Sequence, residues 1–293
     1  MTTDDQVVSR VSGATGVACQ SAQRLSGGFI GEAWRVTTVA GPVFAKTLAD
    51  PAPGVHAVEA AGLAWVGEPG AVPVPEVLGV DDQVLVLAWI EQGRPSPDAA
   101  ERLGAGLARM HAARADAFGE VPPDGGTAGF LGRLGVDDRP CPSWAEFIVT
   151  QRLEPLVAEA DQRGALPAGT ADRVRRVADR LGDPADDLAG PAIAPVRVHG
   201  DLWGGNVLWS AGGDAWLIDP AAHGGHPEAD LAMMHLFGGF GAATFAAYDE
   251  VAPPLPGRDD RVALHQLVPL LVHACLFGGS YGAEVDRIAR RYG

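Results

Sequence analysis

The chain reads as an α+β protein of two lobes. A small antiparallel sheet with one helix spans 1–90, and a larger, mainly helical part spans 91–293. Three observations predict this. Up to about residue 90 the apolar residues fall in short β-favouring runs, from Ser96 onward they recur at helical spacing, and no low-complexity linker separates the halves.

The elements follow in order. AWRVTTVAG and PVFAKTL are strands joined at Ala40-Gly41-Pro42, preceded by the Gly-rich turn RLSGGFIGE. GVHAVEAAGLAWVGE has helical spacing and stops at the Pro-Gly of 69–70, and QVLVLAWI is a continuous apolar run suited to a buried strand. The lobes join at about 88–93. Ser96 is then an N-cap with Pro97 at the first helical position, and Ser143 with Glu146 has capping-box spacing. Further helices are expected at about 168–181, 227–238, 259–276 and 281–291. NVLW and AWLID form a hairpin around SAGGD, and the loop-rich stretch 119–142 is expected to border an open cleft. LFGG occurs at 236–239 and 276–279; it reads as coincidence or helix-end chemistry, not as a repeat.

Composition narrows the function classes. Of 293 residues, 47% are hydrophobic and 20% charged, ordinary for a globular protein. The net charge of −15, from 22 basic and 37 acidic residues, leaves no basic footprint for nucleic acid or anionic membrane. A phosphorylated ligand stays possible, because a metal ion and a few placed donors hold phosphate locally. The scattered Cys19, Cys141 and Cys275 fit neither a disulfide framework nor a zinc knuckle. MTTDDQVVSR shows no secretory signal, and LVPLLVHACLFGG is cut by Pro269 and His273 and is too short to span a bilayer. A cytoplasmic monomer or weak homodimer is expected, without nucleic-acid or membrane partners.

The chemistry concentrates in HGDLWGGN, 199–206. Asp201 and Asn206 are five apart in one loop, and Asp219 closes the strand AWLID thirteen residues later. A hairpin of short arms folds Asp219 back beside Asn206, pairing an amide oxygen with a carboxylate as hard ligands for Mg2+. Asp201, on the same loop but off the metal, is placed to take a proton from a hydroxyl nucleophile. The D-x4-N…D arrangement is that of phosphoryl transfer. Each residue alone is equally explained as turn chemistry; the joint spacing carries the signal. Lys46, ending an apolar strand, and Glu59, thirteen residues on in a helix, form a pair able to position nucleotide phosphates. Gly27, Gly28, Phe29, Ile30 and Gly31 offer backbone N–H groups over phosphates, although a plain hairpin turn is as good a reading. Ala88, Trp89 and Ile90 present backbone to an adenine edge. His223, His226 and the adjacent Glu228 shape an acceptor pocket, with capping of the helix from Pro227 the plainer reading for the histidines. No HExxH motif and no nearby Cys completes a metal set, so zinc is not expected. Asp230 is a dipole-favoured surface charge or a buried anchor for the catalytic loop, and the anchor is preferred.

Together VHGDLWGGNVLW, LIDPAAHGGHPEADLAMMHLFGGF and HQLVPLLVHACLFGG resemble the fructosamine kinase (ketosamine-3-kinase) family, within the aminoglycoside-phosphotransferase and protein-kinase-like fold. The resemblance covers nearly the whole chain and is densest from 198 to 240. It implies ATP and Mg2+ as cofactors and transfer of the γ-phosphoryl group to the 3-hydroxyl of a ketosamine, a step in deglycation. It also implies Asp201 as base, Asn206 and Asp219 as metal ligands, Lys46 and Glu59 as the phosphate-positioning pair, and residues 27–31 as the nucleotide loop. His199 and Asp230 are then structural, and Trp203 a wall of the sugar pocket. Two departures stand out. Phe29 occupies the position where some members carry a cysteine, and Ser26 replaces the first glycine of a full G-x-G-x-x-G. The competing readings are a kinase of another hydroxylated amine, such as an aminoglycoside or choline-like compound, and a nucleotide-binding pseudokinase. Trp203 and LFGGF argue against the first; intact Lys46, Glu59, Asp201, Asn206 and Asp219 argue against the second.

Overall fold

A computed structural model describes residues 3–26, 31–49, 51–126 and 128–293. The chain opens with helix α1 (Asp4–Thr15), followed by β1 (Cys19–Arg24), β2 (Glu32–Thr38), β3 (Gly41–Thr47), α2 (Val55–Gly67), β4 (Val77–Val80) and β5 (Leu85–Ala88). The strands form one antiparallel sheet in the order β1-β2-β3-β5-β4. Side-chain alternation then decides which face each residue takes. Trp34, Val36, Val43, Ala45, Val84 and Val86 pack with Val7 and Val11 of α1 on one face. Leu85 and Leu87, with Phe44, meet Leu63 of α2 on the other. Lys46 pairs in register with Leu85, and Phe44 with Leu87, so Lys46 stands on the α2 face.

Two helices therefore cover this sheet where the pattern predicted one. The extra helix, α1, begins with a capping box: the Gln6 N–H donates to Thr3 Oγ1 at 3.3 Å and the Thr3 N–H to Gln6 Oε1 at 2.9 Å.

The remainder begins with α3 (Pro97–Met110), the hairpin β6 (Ala128–Leu131) and β7 (Leu134–Asp137), and α4 (Trp144–Ile148). A π-helical turn, Val149–Leu153, leads into α5 (Glu154–Gln162), α6 (Thr170–Gly182) and β8 (Val196–Val198). After a 3-10 turn at Gly204–Asn206 come β9 (Val207–Trp209), β10 (Ala215–Leu217) and β11 (His223–Gly225). The chain ends with α7 (Pro227–Phe237), α8 (Ala242–Val251), α9 (Arg258–His265), α10 (Leu267–Phe277) and α11 (Tyr281–Tyr292). Both serine caps form, Ser96 Oγ accepting from Ala99 N–H at 3.2 Å and Ser143 Oγ from Glu146 N–H at 3.1 Å.

Three departures bear on the cleft. The loop-rich stretch contains the hairpin β6–β7, which lines the cleft through Phe130, Leu131, Gly132 and Arg133. The π turn buries Gln151, Arg152 and Leu153 together, and Arg152 pairs there with buried Asp138. The single helix expected at 259–276 is two, broken at Gln266. Pro269 has no N–H for the His265 carbonyl four residues back, and its ring crowds that carbonyl.

Both LFGG copies end helices: Gly238 and Gly278 follow α7 and α10 with φ of 71° and 63°. That is the helix-end reading. The interlobe segment is tied to the β9–β10 hairpin, Gly93 N–H donating to Trp209 O at 2.7 Å and Ala211 N–H to Glu91 O at 2.8 Å. The second half of α2 enters the core of the larger lobe, where Trp65 and Val66 pack with Leu103, Leu107, Met110, Leu202 and Leu217. Among the described residues no helix is long and apolar enough to cross a membrane.

Candidate active site

The loop from His199 is held from below by one carboxylate. Buried Asp230 accepts the His199 N–H at 2.7 Å and the Gly200 N–H at 2.9 Å, and its Oδ2 also meets His111 Nε2 at 3.1 Å. These partners keep Asp230 below the usual carboxylate range although burial pushes the other way. Gly200 is required here, since its φ is 81° and a Cβ would lie 2.1 Å from Ala221 O. His199 accepts the Asp201 N–H on Nδ1 at 3.3 Å and meets Ile218 O through Nε2 at 3.0 Å. That pattern fits a neutral ring, and burial lowers its pKa.

The hairpin then does what its spacing suggested. Val207 pairs with Leu217, and one step further Ile218 N–H donates to Asn206 O at 3.1 Å, which brings Asp219 level with the loop of Asp201 and Asn206. Asn206 Nδ2 donates to Asp201 O at 2.8 Å and to Asp201 Oδ2 at 2.9 Å. Its amide nitrogen is thus committed to Asp201, and Oδ1 is the atom left to offer a cation. Asp219 has φ of 53°, a left-handed conformation that side chains other than glycine rarely adopt and that is typical of functional turns.

Across the cleft Lys46 Nζ lies 2.7 Å from Glu59 Oε2 and 3.2 Å from Asp219 Oδ1. Burial alone would lower its pKa, but the two carboxylates more than offset that and hold it raised. Burial raises Glu59 to about 7 against the pull of Lys46, while Lys46 and the Glu59 hydrogen bond together outweigh burial and keep Asp219 low. Asp201 is pushed up to about 7, chiefly by burial, with the Asn206 hydrogen bond opposing. Three carboxylates thus face one ammonium. A divalent cation held by Asn206 and Asp219 would balance the excess, and these oxygen donors suit Mg2+.

Lys46, Glu59, Asp201, Asn206, Asp219 and Asp230 line one cleft of about 1070 Å³. Of the residues expected to meet the nucleotide, Gly31, Lys46, Glu59, Ala88, Trp89 and Ile90 line the cleft, and Gly27, Gly28, Phe29 and Ile30 lie outside the described residues. The Ala88 N–H is already donated to Glu76 O at 2.9 Å, which moves the expected adenine contact toward Trp89 and Ile90. Trp203 folds over Gly205, where a Cβ would meet the indole at 2.2 Å, and it meets Phe237 edge-on at 6.3 Å. Gly204 packs backbone to backbone on Gly238 and Gly239, so the second half of HGDLWGGN and the first LFGG touch.

His223 lines the cleft with Nδ1 on Ala221 O at 2.9 Å. His226 lines it too and caps α7, its Nδ1 accepting the Glu228 N–H at 3.1 Å. Glu228 does not line the cleft. Both of its oxygens take the Arg261 guanidinium, at 2.6 and 2.9 Å; His265 beside it and Arg261 together hold its pKa at about 2 against burial. Trp144, Phe237, His265, His273 and Tyr281 also line the cleft, and the sequence reading did not single them out. His265 and His273, eight apart in helical sequence, were the available signal.

The family model for fructosamine kinase matches residues 1–292. A solved structure of a candidate fructosamine-3-kinase from Thermobifida fusca is 43% identical, with a TM-score of 0.87, covering 98% of this chain and 99% of that one. Mouse ketosamine-3-kinase is 30% identical over 90% of this chain and 92% of its own. A candidate ketoamine kinase of Lactiplantibacillus plantarum is 34% identical, over 93% and 94%. Macrolide 2'-phosphotransferases at 17% and 18% identity, with TM-scores of 0.65 and 0.60, share the protein-kinase-like fold alone. The chain belongs to the fructosamine kinase family.

Proposed function

We propose that this chain transfers the γ-phosphoryl group of ATP, with Mg2+, to the 3-hydroxyl of a ketosamine and so takes part in deglycation. The observation that carries the reading is the joint placement in one cleft of Asp201, held by Asn206, and of the Lys46–Glu59–Asp219 cluster. Residues 1–90 bind the nucleotide, Lys46 neutralising its phosphates and Trp89 and Ile90 meeting the base. Residues 91–293 supply catalysis and the acceptor pocket. Mg2+, held by Asn206 and Asp219, would supply charge neutralisation on the transferred group. Asp201 accepts the proton of the sugar hydroxyl as that oxygen bonds phosphorus and the bond to ADP breaks. Asn206 and the His199 and Gly200 backbone fix its aim, and Trp203 walls the sugar.

The test is ADP release measured against a panel of fructosamines, ribulosamines, aminoglycosides and choline. Turnover confined to the ketosamines, with a phosphate ester on the 3-oxygen, is expected. Turnover of aminoglycoside or choline alone would overturn the reading.

A further inference from the structure

Phosphoryl transfer does not use the buried end of the cleft. Its floor is made by Trp144 at the start of α4, His226 at the cap of α7 and His265 at the end of α9. The His226 and His265 rings are 5.0 Å apart, and Trp144 lies 5.4 Å and 4.7 Å from them. All three are buried. His273, Tyr281 and Phe277 form a rim of the same cleft, the last 51% exposed.

The hydrogen-bonding state of the floor follows from its contacts. His226 accepts a backbone N–H on Nδ1, so the proton of the neutral ring sits on Nε2, which is a donor. Burial, with His265 and Arg261 nearby, pushes His226 down to about 3 and keeps it neutral. His265 Nε2 lies 3.3 Å from Glu228 Oε2, out of line for a hydrogen bond, and its buried Nδ1 has no partner among the described residues. A buried polar nitrogen without a partner is costly and calls for a ligand or water. His226, Glu228 and His265 also bring three ligand-type atoms within 4.8 Å of one another. A dication there would sit against the Arg261 guanidinium, which already occupies both Glu228 oxygens. The floor therefore offers neutral donors and acceptors beside an aromatic face. An extended polyol is complementary, because its hydroxyls both donate and accept and its C–H face stacks on indole.

Resting on the ketosamine kinase reading above, we infer that Trp144, His226 and His265 seat the hydroxylated tail of the acceptor sugar beyond the reacting carbon, so that the enzyme selects for sugar length. The constant part of the substrate then lies in the buried floor, and the variable amine leaves through the open rim.

The experiment is kcat/KM for ketosamines of one amine carrying four-, five- and six-carbon sugars. It compares the wild type with His265→Phe, which keeps a ring but removes its nitrogens, and with His226→Asn, which keeps a capping oxygen. MgATP affinity reports whether each variant is folded. The wild type should favour the six-carbon over the four-carbon sugar, and each variant should lose most on the longest sugar, about tenfold. If one variant does not fold, the other carries the test. Equal loss on all three sugars, or no length preference in the wild type, overturns the inference. So does stoichiometric zinc in the purified wild type that His265→Phe loses. If the wild type phosphorylates none of the ketosamines, the activity reading fails first, and the inference with it.

Discussion

Asp201 carries a proton to a higher pH in the folded protein than its chemistry alone would give, and that has two measurable consequences. Burial raises it from 3.8 to about 7, with the Asn206 hydrogen bond opposing and Asp219 and Asp230 adding repulsion. Folding therefore takes up a proton between these values. Stability from this group is fully present below about pH 4 and is lost as pH rises through about 7. Asp201→Asn removes the charge that burial penalises. Without nucleotide or metal, its thermal midpoint should match the wild type below pH 4 and exceed it at pH 8 by about 2 °C or more. A melting series across pH checks this, and a midpoint lowered at pH 8 would contradict it. On the mechanism proposed above, in which Asp201 is the base, the same substitution should cut kcat by about 10² to 10⁴. Gained stability beside lost turnover is what a functional carboxylate kept against its own desolvation should show.

Among the elements, α3 and α8 approach most closely where glycine allows it. A Cβ on Gly104 of α3 would lie 1.9 Å from Thr244 O of α8, a backbone atom that cannot swing aside. Gly13 of α1 has open space around the same atom. Gly104→Ala should thus destabilise by about 1–3 kcal/mol through overpacking. Gly13→Ala should stabilise by roughly 0.5–1 kcal/mol through helix propensity. Urea unfolding of both variants checks the opposite signs. The same contrast shows what could be read from residues alone. Strand parity and the N-caps are local, so Lys46 on the cleft face, Ser96, Ser143 and the N-terminal Thr3–Gln6 box are all legible in short windows. The Pro269 break is equally local, although the apolar periodicity on its two sides runs on as if through one helix. By contrast β8 and β11 are three residues each, defined by pairing with each other across the catalytic loop. The β6–β7 hairpin lies in glycine-rich sequence with little propensity. β8 and β11 exist because of distant partners, and no window of sequence contains those partners, whereas β6 and β7 pair locally and are hidden only by weak propensity. In the site, Asp201, Asn206 and Asp219 were legible because one loop and one hairpin bring them together. The His226–His265 contact was not, because thirty-nine positions and three helices separate the pair.

At the scale of the whole molecule, α2 is the member that makes two lobes act as one site. Its first half presents Glu59 to Lys46, while Trp65 in its second half is buried in the core of the larger lobe. Gly62 brings it onto the segment after Asp219, a Cβ there meeting Pro220 at 3.2 Å. Arg197 of β8 secures the far end: its guanidinium lies 5.1 Å from the Trp65 ring centre, donates to Trp65 O at 3.0 Å and pairs with Glu68. The Lys46–Glu59 and Lys46–Asp219 distances thus depend on one helix being held at the end away from the cleft. Arg197→Ala removes the cation–π contact, the carbonyl bond and the ion pair without touching the cleft, a loss on the order of 1–2 kcal/mol after allowance for the exposed Glu68. The expected result is faster amide exchange over 55–67 and a KM for ATP raised about three- to tenfold. The effect of Asp201→Asn on kcat should persist in the double variant, since the two act on different parts of the site. Unchanged exchange in α2 together with an unchanged KM for ATP would mean that the smaller lobe positions Glu59 unaided.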